Sequence, residues 1–215
     1  MTDFQSSGDL RKQLRQARKA LTAQQQTQHA AQACQHLLAE LPQLLPSTPT
    51  ASSPPIKVSV FLSQDGELGT EPLIKALWQQ PQLELYLPAL ETLPDWHMGF
   101  SRYTPATPMK RNPLAFNIPE PDCALQEHLS GEQMDIVIMP LVGFDKQGNR
   151  MGMGGGYYDR TFAFKLKHPD ARPLLIGWAH SCQQVEQLEN QPWDVPLDAI
   201  VSEKGLLNFR QAPSA

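Results

Sequence analysis

A short apolar run followed closely by a glycine-rich loop constrains the fold of this chain more than any other feature. Residues 135–140 read Asp-Ile-Val-Ile-Met-Pro, and residues 150–160 read Arg-Met-Gly-Met-Gly-Gly-Gly-Tyr-Tyr-Asp-Arg. A short run that is apolar at nearly every position is typical of a parallel strand buried on both faces. Because parallel strands need crossover connections, we expect helices packed against such a sheet.

Similar runs alternate with helical periodicity along the rest of the chain. Strands are predicted at residues 57–62, 83–87, 96–103, 135–140, 174–178 and 199–201. Helices are predicted at residues 9–20 with Asp9 as cap, at 22–41 with Thr22 as cap, at 70–80 and at 157–166. This alternation predicts an α/β fold, a three-layer sandwich with a mostly parallel central sheet flanked by helices.

Two proline-containing stretches are predicted to be irregular. Residues 42–55 are rich in Pro and Ser, and we interpret them as an insertion or linker, while residues 104–121 are predicted to form a loop. The length suits one hydrophobic core. We therefore treat residues 1–215 as one domain with an insertion at 42–55 and flexible ends. The strand predicted at 83–87 is expected to stop before Pro88.

Composition excludes several classes of partner. The chain has 18 Lys+Arg and 22 Asp+Glu, a net charge of −4, whereas nucleic-acid-binding domains are normally basic. No apolar run is long enough to span a membrane, and the first residues have no signal-peptide pattern. Three well-separated cysteines fit reduced cytosolic thiols. We expect a cytoplasmic monomer with no nucleic-acid or membrane partner.

Positive charge is concentrated near the start of the chain. Residues 10–19 contain Arg11, Lys12, Arg15, Arg18 and Lys19 and no acidic residue. A basic segment on an acidic protein indicates a local anion site. Charge alone favours the other interpretation, a solvated helix face, and both interpretations stay open.

The glycine loop has the composition of a phosphate-binding segment. Missing Cβ atoms let backbone N–H groups approach an anion, the following helix offers free donors, and Arg150 can add a bidentate contact. Neither the P-loop nor the G-x-G-x-x-G pattern fits, so a plain tight turn is the alternative. Asp159 can hold Mg²⁺ or be a first-turn acid. Tyr157 and Tyr158 can stack on a heterocycle or belong to the core.

Several segments resemble one family in order along the chain. Residues 148–160 resemble the signature of the 5-formyltetrahydrofolate cyclo-ligase family, also called methenyltetrahydrofolate synthetases. Further resemblance lies in these segments: 10–22, 61–70, 117–121, 177–186, 193–198 and 201–203. The matches run from about residue 10 to 205, which is more specific than any single glycine pattern.

The resemblance implies an activity and a set of ligands. Members close 5-formyltetrahydrofolate into 5,10-methenyltetrahydrofolate, use ATP as co-substrate, require Mg²⁺ and release ADP and phosphate. The folates that such enzymes use include forms with several glutamates. The architecture implied is that of the sugar-phosphate isomerase and CoA-transferase-like proteins.

The resemblance also assigns roles to residues of this sequence. Asp159 and Asp194 are implied as magnesium ligands, and Arg150 and Tyr157 as catalytic residues. The nucleotide would contact Arg11, Arg150, Met151, Gly152, Met153, Gly154, Gly155, Gly156, Tyr157 and Tyr158. The folate would contact Leu62, Glu67, Met153, Gly154, Gly155, Gly156 and Tyr157. A carboxylate such as Glu67 can accept paired hydrogen bonds from an amino-pyrimidinone edge; without the resemblance it is an ordinary turn acid.

This sequence departs from the family pattern at the start and in the loop. Ser7 stands where the family usually has a lysine, so that phosphate contact has no assigned residue, and Met153 and Gly155 stand where some members carry basic residues. Two other functions are considered: an α/β phosphate-handling enzyme of the sugar-phosphate isomerase kind that uses no ATP, and a non-catalytic folate-binding protein.

Overall fold

A computed structural model describes residues 7–44, 53–90, 94, 97–112 and 118–210. The helices are α1 (Ser7–Lys19), α2 (Ala23–Leu44), α3 (Glu71–Trp78) and α4 (Tyr157–Thr161). The first strands are β1 (Ile56–Ser59), β2 (Leu83–Ala89), β3 (Gly99–Arg102), β4 (Met109–Asn112), β5 (Ile118–Pro121) and β6 (Ile136–Pro140). The later strands are β7 (Gly143–Phe144), β8 (Arg150–Met151), β9 (Leu174–Trp178), β10 (Ala199–Ser202) and β11 (Gly205–Asn208). Short 3₁₀ helices cover Leu125–Glu127, Gly131–Gln133, Ala163–Leu166 and Ser181–Gln183.

Seven strands form the central sheet in the order β11-β10-β9-β6-β1-β2-β3. The five inner strands are parallel, and β3 and β11 are antiparallel at the two edges. The register pairs Val58 with both Leu85 and Ile136, and Ile138 with Ile176. The prediction of a mostly parallel α/β sheet is confirmed.

Successive residues of β6 enter two different cores. Ile136 and Ile138 pack with α2 and α3 on one face, whereas Val137 and Met139 pack with Phe162 on the other. Side chains alternate across a strand, so a strand buried on both faces must be apolar throughout. The two cores make the layers of the predicted sandwich, with α2 and α3 on one side and the α4 region on the other.

Several predicted boundaries are wrong. Strand β2 continues through Pro88 to Ala89, because beyond Tyr86 its paired neighbour is the antiparallel β3, where Pro88 lies opposite Phe100. The helix predicted at 157–166 is interrupted at Phe162, which is fully buried, and continues as a 3₁₀ helix. Helix α1 begins at Ser7, before Asp9, whereas Thr22 caps α2 by exchanging bonds with Gln25, as predicted.

Two stretches are more regular than predicted. The loop predicted at 104–121 contains the antiparallel pair β4 and β5, and β10 is followed by β11. Part of the predicted insertion at 42–55 belongs to α2, which runs to Leu44 with Pro42 in its last turn. Some predictions fall on residues that the structure does not describe. These are 45–52 of the insertion, position 96 of the predicted third strand, Asn117, and the ends 1–6 and 211–215. No helix in the described part of the chain is long and apolar enough to cross a membrane.

Candidate active site

Two turns flank the topological switch point of the sheet, where the strand order reverses between β1 and β6. From β1 the chain moves to β2 and β3, and it then returns to β6 on the other side of β1. Ligands of open α/β sheets bind outside the carboxyl ends of the strands at such a switch point. The turn at 60–69 follows β1, and the segment that leads to the glycine loop follows β6. The topology therefore brings together two segments that are far apart in sequence.

A buried aspartate shapes the approach to the glycine loop. Strands β7 and β8 form a small antiparallel pair, and the turn between them is organised by Asp145, which is fully buried. The Asp145 carboxylate accepts bonds from the backbone N–H groups of Gln147, Asn149 and Leu188 at 2.9–3.0 Å. Because unmade bonds to a buried carboxylate are expensive, this network fixes the position at which Arg150 begins β8.

Arg150 and Asp159 form an ion pair across the glycine loop. The Arg150 Nη2 lies 2.5 Å from Asp159 Oδ1, and the Arg150 side chain is only 5% exposed. The same Oδ1 accepts the Val195 N–H at 3.1 Å. Arg150 Nε is buried and has no hydrogen-bond partner among the described residues. A buried, unpaired donor of this kind is unfavourable.

Two further arginines bond to carbonyl groups of the loop. Arg11 Nε of α1 donates to the Gly152 carbonyl at 2.9 Å, as the basic opening helix allowed. Arg160 Nη2 donates to the Gly155 carbonyl at 2.9 Å, and its guanidinium lies 5.1 Å from the centroid of the Tyr157 ring. The sequence pattern indicated no role for Arg160, although this residue ends the glycine-rich motif. The loop is thus surrounded by guanidinium groups while residues 153–155 are exposed.

Three other basic residues of α1 bind the protein itself. Arg15, Arg18 and Lys19 all contact the Asp65 carboxylate, and Arg18 is fully buried and also donates to the Leu141 carbonyl. Burial of Asp65 opposes ionisation, but the hydrogen bonds from Lys19, Arg15 and Arg18 outweigh it and lower its pKa to about 2. Three of the five basic residues of the segment are thus paired with a carboxylate of the protein, and among the described residues of α1 only Arg11 has a bond to the glycine loop.

The Asp65 turn holds Glu67 at the switch point. Asp65 and Gly66 both have positive φ, and the Gln64 N–H donates to Glu67 Oε2 at 3.0 Å. Glu67 lies 3.7 Å from Arg18 and is 12% exposed, and burial raises the pKa of its carboxyl. Burial, and then the charge of Glu67, raise the pKa of the Tyr158 hydroxyl. Glu67 therefore acts electrostatically on the first turn of α4, across the switch point.

The remaining predicted residues lie around these two turns. Asp194 is half-buried directly before Val195, whose N–H bonds Asp159, and its Oδ2 accepts the Gln191 N–H at 2.8 Å. Tyr157 and Tyr158 pack at the edge of the second core, and Leu62 packs at the edge of the first. Ser7, the position without the family lysine, is the exposed first residue of α1.

Comparisons with known proteins agree on one family. The family model described as the 5-formyltetrahydrofolate cyclo-ligase family matches residues 3–203. The chain is 40% identical over 198 residues to the 5-formyltetrahydrofolate cyclo-ligase of Haemophilus influenzae, covering 92% of this chain and 97% of that one. It is 39% identical over 189 residues to the enzyme of that name from Escherichia coli K12, covering 88% and 96%.

Solved structures support the same assignment. The 5,10-methenyltetrahydrofolate synthetase of Aquifex aeolicus, determined by NMR, superposes with a TM-score of 0.71 at 27% identity, covering 98% of this chain and 96% of that one. The corresponding protein of Mycoplasma pneumoniae gives a TM-score of 0.66 at 25% identity, covering 93% and 99%. Fold, sequence match and the order of the motifs coincide over nearly the whole length, so the chain belongs to the 5-formyltetrahydrofolate cyclo-ligase family.

Proposed function

We propose that this protein uses ATP to close 5-formyltetrahydrofolate into 5,10-methenyltetrahydrofolate, releasing ADP and phosphate. The observation that carries the proposal is the arrangement at the switch point, where an arginine-lined glycine loop and a buried glutamate flank the same sheet edge. Family membership supports it, because the relatives bear the names of this activity. No feature of the site favours an ATP-independent isomerase or a non-catalytic binding protein.

The nucleotide phosphates would bind along residues 150–158. Gly154 and Gly156 have positive φ, which turns successive backbone N–H groups into a concave loop. Gly156, the N-cap of α4, has φ +65°, a left-handed conformation that favours glycine. Arg11 and Arg150 add positive charge beside these N–H groups.

Asp159 and Asp194 would hold Mg²⁺ beside those phosphates. Both hydrogen bonds to Asp159 end on Oδ1, and the bond to Asp194 ends on Oδ2, so each carboxylate keeps one oxygen unused by the described residues. Mg²⁺ takes one or two carboxylates together with substrate phosphates, and this donor set fits it. When bound, the ion would neutralise charge that develops on the transferring phosphoryl group.

The folate would lie on the other side of the switch point. Glu67 is fixed by the Gln64 N–H and is shielded from water, so it can accept paired hydrogen bonds from the amino-pyrimidinone ring. Leu62 would pack against the ring system, and Tyr157, under the Arg160 guanidinium, would line the pocket together with residues 153–156.

The proposed chemistry needs positioning more than covalent participation by the protein. A formamide is a poor electrophile and its oxygen a poor leaving group. Transfer of the γ-phosphoryl group of ATP to the formyl oxygen gives an imidate-like phosphate and ADP. Nitrogen 10 of the folate then attacks the activated carbon and loses its proton to solvent, and phosphate leaves with the original formyl oxygen. Arg150 and the loop amides would stabilise charge on the phosphoryl oxygens in both steps.

An absorbance assay tests the proposal directly. Purified full-length protein is incubated with 5-formyltetrahydrofolate and Mg²⁺, with and without ATP, and growth of the methenyl-folate absorbance is followed. We expect growth only when ATP is present, with one ADP formed for each folate closed. No signal from folded protein would refute the proposal, and turnover without ATP would favour the isomerase-like alternative.

Three finer statements belong to the same proposal. A folate with several glutamates is a candidate substrate, because Arg11 and Arg160 border the exposed part of the loop and can attract additional carboxylates. The protein would act as a monomer in the cytoplasm, without nucleic acid or membrane partners. A single domain spanning residues 1–215 is part of the same proposal.

A further inference from the structure

A second group of ligand-type side chains lies beside the site, at the same edge of the sheet. His29 comes from α2, His180 follows β9, and Glu203 follows β10. One nitrogen or oxygen atom from each lies within 4.8 Å of the other two. The two histidine Nδ1 atoms are 3.0 Å apart, and His29 Nδ1 is 3.7 Å from Glu203 Oε2. Neither the proposed nucleotide site nor the proposed folate site uses these residues.

Hydrogen bonds around His180 fix which ring nitrogen faces the group. His180 is fully buried, and its Nε2 lies 2.9 Å from Gln26 Oε1. The Gln26 Nε2 donates to the Arg18 carbonyl at 3.0 Å and is 3.4 Å from the Gly66 carbonyl, so the amide oxygen must face His180. His180 therefore donates its single ring hydrogen from Nε2 and presents the Nδ1 lone pair to His29 and Glu203.

The glutamate is held in place in a similar way. Glu203 Oε2 accepts the Ser181 N–H at 3.0 Å, and Oε1 accepts the Ser181 hydroxyl. The side chain is 10% exposed, and that of His29 is 19% exposed. Outer hydrogen bonds that orient each ligand are typical of protein metal sites, and the partial exposure of His29 leaves a path for an ion.

We propose that His29 Nδ1, His180 Nδ1 and Glu203 Oε2 bind a divalent transition-metal ion of the zinc class, with water as a fourth ligand. Two imidazoles and a carboxylate suit such an ion, and bonds of about 2.0–2.1 Å in a tetrahedron place ligand atoms roughly 3.3 Å apart. The separations of 3.0 and 3.7 Å bracket that value. The alternative is that the site binds no metal and that His29 Nδ1 donates a hydrogen bond to His180 Nδ1.

This site would be separate from the proposed magnesium site in both position and chemistry. Gln26, which orients His180, also lies against the Gly66 carbonyl in the turn that carries Glu67. A bound ion would therefore join α2 to the ends of β9 and β10, behind the proposed folate turn. We expect it to stabilise the fold without being required for phosphoryl transfer.

Cobalt serves as the spectroscopic probe. Full-length protein is freed of metal with a chelator, and Co²⁺ is then titrated in the presence of excess Mg²⁺, while visible d–d bands are recorded. We expect one Co²⁺ per chain with the bands of a four-coordinate ion, displaced by one equivalent of Zn²⁺, and a higher melting temperature with Zn²⁺. Strong thiolate charge-transfer absorption would overturn the proposed ligand set.

The variants change the two ligands that are partly exposed, His29 and Glu203, because the fold should tolerate a change there better than at the buried His180. His29→Gln and Glu203→Gln should each weaken Co²⁺ binding at least tenfold. The control is His168→Gln, at an exposed histidine outside the proposed ligand group, which should bind Co²⁺ as the parent does. Circular dichroism confirms folding of each. Absent d–d bands in the parent, or equal binding in all variants, would refute the metal site. The folate assay is run separately with Mg²⁺ and ATP, so its failure would refute the proposed function and leave this proposal untouched.

Discussion

Arg11 Nε donates to the Gly152 carbonyl at 2.9 Å and so connects the opening helix to the glycine loop across 141 positions of sequence. The bond uses the Nε hydrogen of the guanidinium, so the terminal nitrogens are the groups that we expect to contact a phosphate. We expect Arg11→Gln to raise the KM for ATP about tenfold, because a hydrogen bond to a charged group contributes about 1.5–3 kcal/mol. Lys12→Gln, at an exposed neighbour on α1, is the matched control. Equal KM values for the two variants would contradict the assignment.

The Arg150–Asp159 pair predicts a combined loss of stability and activity. In Asp159→Asn the amide oxygen can still accept the Val195 N–H, but Arg150, which is 5% exposed, loses its counter-charge. We expect the free energy of unfolding to fall by about 1–3 kcal/mol in denaturant titrations. Turnover with Mg²⁺ and ATP should fall about a hundredfold, measured where the variant is still folded. Asp170→Asn, at an exposed position, should change neither quantity.

Glu67→Gln should separate folate binding from nucleotide binding. The amide oxygen of glutamine can still accept the Gln64 N–H, so the turn is expected to keep its shape. The lost negative charge and paired acceptors should raise the KM for 5-formyltetrahydrofolate at least about tenfold. The KM for ATP should stay the same. Glu132→Gln, an exposed glutamate on a 3₁₀ helix, is the control, and a parallel rise in both KM values would argue for a structural role of Glu67.

Two glycines with positive φ form a matched pair for testing the loop. Gly154 has φ +97° and Gly205 has φ +130°, and a Cβ on either would meet no atom within 4 Å. Replacing each by alanine should reduce stability by about 1–3 kcal/mol through backbone strain alone. Only Gly154→Ala should impair ATP use, because Gly205 lies in the turn between β10 and β11. Similar ATP kinetics in both variants would show that the loop conformation does not matter.

The Asp65 cluster predicts a loss of stability in acid. Its pKa is lowered to about 2 in the folded protein by Lys19, Arg15 and Arg18, and that of an unfolded aspartate is about 3.9. The carboxylate therefore stabilises the fold fully above about pH 4, and the contribution disappears as pH falls towards 2. We expect it to be about 1–2 kcal/mol after screening by solvent.

Asp65→Asn provides the comparison for that titration. Asparagine tolerates the positive φ of position 65, which is +53°. The difference in unfolding free energy between parent and variant should shrink between pH 4 and pH 2, as measured by denaturant titration. A difference that is independent of pH would mean that the Asp65 charge does not stabilise the turn.

Local patterns in the sequence were sufficient for two inner strands of the sheet, whereas β1, predicted at 57–62, spans only Ile56–Ser59. Strand β9 lies at 174–178 as predicted, and β6 differs from its prediction by one residue. These strands are buried on both faces, so each position is apolar and the signal does not depend on context. The pair β4 and β5 was missed because the first strand, Met-Lys-Arg-Asn, is mostly exposed and has no apolar alternation. Strand β11 was missed because it is an edge strand that is partly exposed, and it is recognised as a strand only through its pairing with β10.

The sequence by itself determined the family and the location of the glycine loop, because both rest on residues that are close together or follow one another in a fixed order. The sequence did not show which partner each charged side chain binds. Only the tertiary structure directs Arg18 and Lys19 to Asp65, pairs Arg150 with Asp159, and brings Val195 and hence Asp194 beside that pair. The same holds for His29 and His180, whose ring nitrogens meet across 151 positions. Contacts of this kind depend on sheet order and side-chain reach, which local periodicity does not encode.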